Sequence, residues 1–231
     1  MEGNSEVELV HRFFSGTGST YDFMVNLCTL GFDRCWKREI LRKVPKGSIR
    51  ILDQACGTGI LTLKIARAFP RSRVIGVDLL EEYVSLAKEK ARRQNVENVE
   101  FILGRAEEVL LHTNFDCITS SYLAKYANRR SLTRNAGKML RSGGILIMHD
   151  FTYPPNHAFA HLWEFYFQIL QSAGTWKFPQ WGDIFDGLPE LLRETKWVTE
   201  LISSLRENTF SEISIQSLTL GTSAIVTARK G

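Results

Sequence analysis

Residues Arg50 to Gly59, read Arg-Ile-Leu-Asp-Gln-Ala-Cys-Gly-Thr-Gly, constrain this chain more than any other segment. A short apolar run leads to an acid, then to Gly-x-Gly, then to the apolar run Ile60 to Ala66. That order reads as a buried strand, a tight turn and a helix. Glycines at 57 and 59 let backbone approach a ligand where a side chain would clash. A dinucleotide fold carries a third glycine, so that the helix N-terminus meets a pyrophosphate. Here position 62 is Thr62, and no Lys-Ser/Thr pair follows to make a phosphate loop.

The form Asp53-x-Ala55-Cys56-Gly57-Thr58-Gly59 resembles motif I of class I S-adenosylmethionine-dependent methyltransferases. In that family the loop passes the methionine end of the cofactor, which carries no phosphate.

The rest of the chain alternates as a parallel α/β fold should. Expected strands are Ile49–Asp53, Arg73–Asp78, Val99–Leu103, Phe115–Ser121 and a short central Ile145–Met148. Expected helices between them are Ile60–Ala68, Glu81–Gln94 and Arg130–Leu140, the last stopped by Gly143-Gly144. Residues 8–29 read as a helical lead-in broken around Ser15–Gly18, and residues 34–43 as an amphipathic helix. Asn156–Ala173 reads as a helix that is apolar on more than one face, either buried between other elements or lining an apolar chamber. A loop with Trp176, Phe178, Trp181 and Phe185 follows, then short helices at Leu188–Arg193 and Trp197–Leu205. Strands Phe210–Ser217 and Thr222–Ala228 close the chain. The expectation is one Rossmann-like domain, a mostly parallel seven-stranded sheet with an antiparallel last strand. Residues 8–44 form its lead-in and lid, 49–155 its cofactor core, 156–209 a helical substrate-side insertion and 210–231 a hairpin.

With 231 residues, 44% hydrophobic, the chain can bury one full core. No apolar run is long enough to span a bilayer. The acidic polar start, Met1 to Glu6, is unlike a signal peptide, and a cytoplasmic setting is expected. Cysteines 28, 35, 56 and 117 show no C-x-x-C spacing and read as buried free thiols. The net charge of +4 is concentrated between Arg34 and Arg50. That run is a solvated face or a surface for an anionic membrane. Nothing resembles a nucleic-acid-binding motif. A homodimer is allowed without being specified.

Asp78, at the end of the second strand, suits ribose hydroxyls, a role shared by sulfonium and nicotinamide cofactors; the alternative is a cap on the next helix. Asp53 would lie near a cationic amino-acid group. Ser120 or Ser121 could position the methionine moiety. Arg105 stands where an acceptor for adenine is common, so it either stacks on the base or leaves recognition to Ala106 and Glu107. Tyr21, Lys37, Ala55, Cys56, Gly57, Gly59 and Leu79 complete the expected cofactor set. For chemistry on a phenolic ring, candidate bases are His149, Asp150, Tyr122 and Tyr153, near the C-terminal ends of the fourth and fifth strands. His149 has the most suitable ordinary pKa, or is a satisfied core histidine. No metal is expected.

The whole chain resembles the UbiE/COQ5 family, the C-methyltransferases of ubiquinone and menaquinone biosynthesis. The segments that carry this are Tyr21-Asp22-Phe23-Met24-Val25-Asn26, Gly31 to Trp36-Lys37, Leu52 to Gly59, Gly76-Val77-Asp78, Phe115 to Thr119, Leu140 to Gly144, Asp150 to Pro154 and Leu218 to Gly221. The resemblance implies S-adenosyl-L-methionine as cofactor and a reduced quinone precursor with an apolar tail as substrate. It implies Tyr21 as a lid residue and Asp150 as a pocket residue. Residues after Trp176 depart from the family pattern, so another phenolic or polyketide ring stays open. So do a different reaction on the same cofactor and a noncatalytic partner subunit.

Overall fold

The computed structural model describes residues 2–47 and 49–231, with side chains from Glu6 onward; Met1 lies outside them. A lead-in of three helices, α1 (Glu2–Phe14), α2 (Tyr21–Cys28) and α3 (Asp33–Lys43), precedes the sheet. The core runs β1 (Arg50–Gln54), α4 (Ile60–Ala68), β2 (Arg73–Asp78), α5 (Glu81–Arg93), β3 (Val99–Leu103), β4 (Phe115–Ser121), α6 (Arg129–Met139) and β5 (Leu140–Phe151). Then come α7 (His157–Ile169), α8 (Thr175–Lys177), α9 (Gly182–Glu194), α10 (Trp197–Glu207), β6 (Phe210–Leu218) and β7 (Ser223–Lys230).

The seven strands pair in the order β3-β2-β1-β4-β5-β7-β6. The first five are parallel, and β7 runs antiparallel to both β5 and β6. Strand order reverses between β1 and β4, which opens a crevice at their carboxyl ends. Ile51, Val74, Cys117, Ile147 and Ile225 face one apolar layer, which α3 and α4 cover through Ile40 and Ile65. Leu52, Ile118, Leu146, Met148 and Val226 face the other, with Leu132 of α6 and Trp197, Leu201 and Leu205 of α10 packed on them. The three α10 residues repeat every fourth position and so share one helix face. Each such side chain contributes about 1.5–3 kcal/mol on burial.

Four expectations are corrected. The fifth strand runs from Leu140 to Phe151, well beyond Ile145–Met148, because antiparallel pairing with β7 continues through His149, Asp150 and Phe151. The residues after Trp176 are not a loop: Pro179–Trp181 is a 3₁₀ turn and α9 begins at Gly182, so Phe185 lies within a helix and is buried. Cys56 and Cys117 are buried and Cys28 is partly so, whereas Cys35 is exposed. The basic run also divides, since Lys37 is buried against Asp33 while Arg34, Arg38, Lys46 and Arg50 reach the surface.

Candidate active site

The β1–α4 turn shapes the crevice. Ala55, Gly57 and Gly59 have φ of 53°, 58° and 84°. Only glycine takes this region without strain, so Ala55 holds a costly conformation of the sort found at functional turns. Tyr122, after β4, is also left-handed at φ 69°. Both residues line the crevice.

Three cavities meet there, and Tyr21 and Tyr122 belong to all of them. The largest, about 730 Å³, is bounded by Gly57, Asp78, Leu79, Tyr83, Arg105, Ala106, Glu107 and Tyr126 below a roof of Val7, Val10 and Phe14 from α1. A second, about 290 Å³, brings Lys37 and Asp53 together beside Cys56 and Gly57. The third, about 440 Å³, is walled by Tyr122, Tyr126, Phe151, Trp181, Ile184 and Leu188, with Lys125 as its charged member.

Asp78 accepts hydrogen bonds from the N–H groups of Gly57 (2.7 Å) and Leu80 (3.0 Å). It therefore ties the Gly loop to the turn that leads into α5. A carboxylate offers about four lone-pair sites, so two remain for a ligand's hydroxyls. Burial pushes its pKa up, against the backbone donors that lower it. Asp53 accepts from the hydroxyls of Thr62 (2.6 Å) and Thr119 (2.7 Å). Burial raises its pKa to about 6. An ammonium brought beside it would lower that pKa and favour the charged form. Lys37 donates to Asp33, which also accepts the Tyr122 hydroxyl at 2.7 Å. The cavity chemistry fits S-adenosyl-L-methionine: hydroxyl acceptors at Asp78, and a cation and an anion at Lys37 and Asp53 for the two ends of an amino acid.

Other expected residues are placed differently. Arg105 is held by Glu107 (3.3 Å), Glu108 (2.9 Å) and Glu6 of α1 (3.6 Å) at the cavity edge. Gly59 lies outside the cavities, and a Cβ there would sit 3.2 Å from Ala87, so its work is helix packing. Ser120 is buried outside the cavities, whereas Ser121 lines two of them.

Of the candidate bases, only Tyr122 lines a cavity. His149 is buried, with Nδ1 2.9 Å from Ser121 Oγ and Nε2 2.7 Å from Ser223 Oγ. Burial, with the charges of Lys37 and Lys125, pushes its pKa well below the usual value. It is a neutral, fully bonded core histidine, and this geometry does not support the base role. Tyr153 donates to Glu164 at 2.7 Å, away from the crevice. Asp150 is fully buried and reaches the third cavity through Lys125, whose Nζ lies 2.5 Å from Oδ1.

Lys125 is the functional candidate that sequence reasoning passed over. Its signal was a lone cation in the apolar segment Leu123-Ala124-Lys125-Tyr126-Ala127 just after a strand. Its ammonium sits 4.4 Å from the Tyr126 ring centre and 5.3 Å from that of Phe151. Burial pushes its pKa down, opposed by Asp150. Of the two readings of α7, the chamber lining is not supported here, because none of the described residues lining the third cavity comes from that helix.

The sheet order, the Gly loop and the acid at the end of β2, with the family match below, define a class I S-adenosylmethionine-dependent methyltransferase, with S-adenosyl-L-methionine as its cofactor. Geranyl diphosphate C-methyltransferase from Streptomyces coelicolor A3(2) shares this fold at a TM-score of 0.64 and 13% identity, over 86% of this chain and 79% of that one. Residues 1–230 match the ubiE/COQ5 methyltransferase family, and the chain belongs to it. It is 26% identical to demethylmenaquinone methyltransferase of Geobacillus stearothermophilus, over 96% of each chain. It is 28% identical to the ubiquinone/menaquinone biosynthesis C-methyltransferase UbiE of Geotalea daltonii, over 96% of this chain and 97% of that one.

Proposed function

We propose that this methyltransferase methylates a ring carbon of a reduced quinone precursor that carries an apolar tail, at a membrane surface. The observation that carries this reading is Lys125. It is the cation in an otherwise aromatic and aliphatic chamber that shares Tyr21 and Tyr122 with the cofactor cavities. Such a chamber suits a flat ring with one ionisable oxygen and an apolar substituent. Family membership and the demethylmenaquinone methyltransferase relatives support the same substrate class.

The bound cofactor supplies an already activated methyl group, so the protein's tasks are positioning, ionisation of the ring and exclusion of water. Tyr122, stacked on Phe151 at 4.7 Å, and Tyr126 present flat surfaces for a ring. Lys125, held as an ammonium by Asp150, lines the chamber where the ring oxygen would sit. That ammonium faces the ring oxygen and favours its oxyanion, which makes the adjacent carbon more nucleophilic. In the whole reaction the phenolic proton leaves to solvent before the site closes, the ring carbon takes CH₃ as the S–CH₃ bond breaks with its pair left on sulfur, and the H⁺ then lost from that carbon returns to the oxygen. Tyr21 and the α1 roof exclude water.

The test uses labelled S-adenosyl-L-methionine with demethylmenaquinol and a polyprenyl benzoquinol under reducing conditions. Label on a ring carbon is expected. Label on oxygen, or no product from an enzyme shown to bind cofactor, would overturn the substrate assignment.

A further inference from the structure

Helix α7 is apolar on two faces, and only one is covered. Its inner face puts Phe167 into a buried cluster with Trp181 and Phe185, which Leu170, just past the helix end, joins. Its outer face carries Leu162, Phe165 and Ile169, which are 61%, 58% and 46% exposed. Their spacing of three and four residues makes one stripe. The chain stays helical through a π turn, Leu170–Gly174, into α8, where Trp176 is 87% exposed. At a helical rise the stripe from Leu162 to Ile169 is about 10 Å long, and Trp176 lies beyond the π turn at its end. Phe178 then pairs with Phe23 of α2 at 5.7 Å, and Phe23 is 55% exposed.

This strip borders the substrate chamber. The other face of α2 lines that chamber with Met24, Val25 and Cys28. Tyr166 of α7 donates its hydroxyl to the Leu27 carbonyl of α2 at 2.6 Å, which locks the two helices together. Scattered exposed apolar residues need no explanation, but a group of large exposed apolar side chains on neighbouring helices beside a ligand chamber marks an interaction surface.

Its charge distribution suits an anionic bilayer. Between His157 and Lys177 the one carboxylate is Glu164, which Arg193 (2.7 Å) and Tyr153 (2.7 Å) occupy. Lys177 is exposed next to Trp176. Arg34, also exposed, lies against α2 through Asn26. An apolar helical face with tryptophan and flanking cations lies in the interface plane of a membrane.

We propose that the strip of Leu162, Phe165, Ile169 and Trp176, with Phe23, docks this protein on a lipid bilayer and so presents the α2 wall of the chamber to the membrane. This rests on the reading of a lipid-tailed substrate for the role of the contact, though not for its existence.

The test is co-sedimentation of the full chain with phosphatidylcholine vesicles, with and without added phosphatidylglycerol. Wild type should partition to the vesicles, more so with the anionic lipid. Trp176→Ser should weaken partitioning about tenfold, as loss of a buried aromatic implies, and Phe165→Ser with Ile169→Ser by at least as much. Affinity for S-adenosylhomocysteine should stay unchanged in both variants, which shows that they fold. Wild type that stays in the supernatant, or variants that partition equally, would overturn the proposal. A wild-type dimer that Trp176→Ser converts to monomer, with no vesicle binding, would assign the strip to a second copy and overturn it too. Vesicle binding without methylation of either quinol would leave this surface standing and remove the substrate reading instead.

Discussion

Lys125 and Asp150 form an ion pair at 2.5 Å with both side chains almost wholly out of solvent. Asp150 also accepts the N–H of Lys125 (3.1 Å) and of Phe151 (2.7 Å). The carboxylate therefore pins the turn after β4 to the end of β5 and aims the ammonium at the chamber.

Two variants separate the structural and chemical parts of this pair. Lys125→Met leaves a buried unpaired carboxylate and should cost about 3–5 kcal/mol. Lys125→Met with Asp150→Asn removes both charges while keeping one acceptor, and should recover most of that stability in urea unfolding. Turnover should stay lost in both. Recovery of turnover along with stability would show that Lys125 has no chemical role.

Asp78→Ala removes the acceptor of two backbone donors as well as the proposed ribose acceptors. Cofactor affinity should fall by about 1.5–3 kcal/mol, roughly tenfold or more. Calorimetry with S-adenosylhomocysteine measures this. Unchanged affinity with a lowered melting temperature would make Asp78 a structural cap alone.

Asp53 predicts a pH dependence of known sign. Its folded pKa, about 6, lies above the ordinary 3.8. Between those values the folded chain binds more protons than the unfolded chain, so this group's contribution to stability falls as pH rises from 4 to 6. The total is about 3 kcal/mol. Asp53→Asn should consequently gain on wild type in stability across that window. Affinity for S-adenosylhomocysteine should run the other way, about tenfold weaker at pH 5 than at pH 7 in wild type and flat in the variant. A pH-independent wild-type affinity would mean that Asp53 does not meet the ammonium.

Lys37 predicts a ligand-dependent loss. Lys37→Met should weaken S-adenosylhomocysteine binding about tenfold and leave 5′-methylthioadenosine, which lacks the amino-acid group, within about twofold. Equal losses on both ligands would show that Lys37 acts only by holding Asp33 and, through it, Tyr122.

The roof over the cofactor cavity depends on Gly18. The N–H groups of Gly16 and Gly18 both donate to Glu82 at 3.0 Å, and Thr17 meets the Tyr83 hydroxyl at 2.6 Å. A Cβ at Gly18 would lie 2.6 Å from Glu82 Oε1 and 2.7 Å from Leu86. Gly18→Ala should cost about 1–3 kcal/mol and loosen the strap that carries α1. Stopped-flow dissociation of S-adenosylhomocysteine should be faster. An unchanged rate would mean that α1 is not a lid.

The repeating strands and helices from Arg50 to Ser121, the Gly loop and the acid at Asp78 were legible in the sequence because each is a local signal. Apolar period, turn glycines and strand-end acids are written within a few consecutive residues. The chemical end of the site was not local. His149 read in the sequence either as a base or as a satisfied core histidine, and Ser121 and Ser223, far from it in the chain, occupy its two ring nitrogens and favour the second. Asp150 looked like a wall of the pocket until Lys125 was found between it and the chamber. The double apolar character of α7 was plain in its residues, yet only packing decided that Phe167 turns inward and Phe165 outward. What the sequence by itself determined is the α/β order and the cofactor-side loop. Which titratable group reaches substrate, and which apolar face stays bare, the tertiary structure alone decided, because both depend on the register of strands and helices that meet only when the sheet closes.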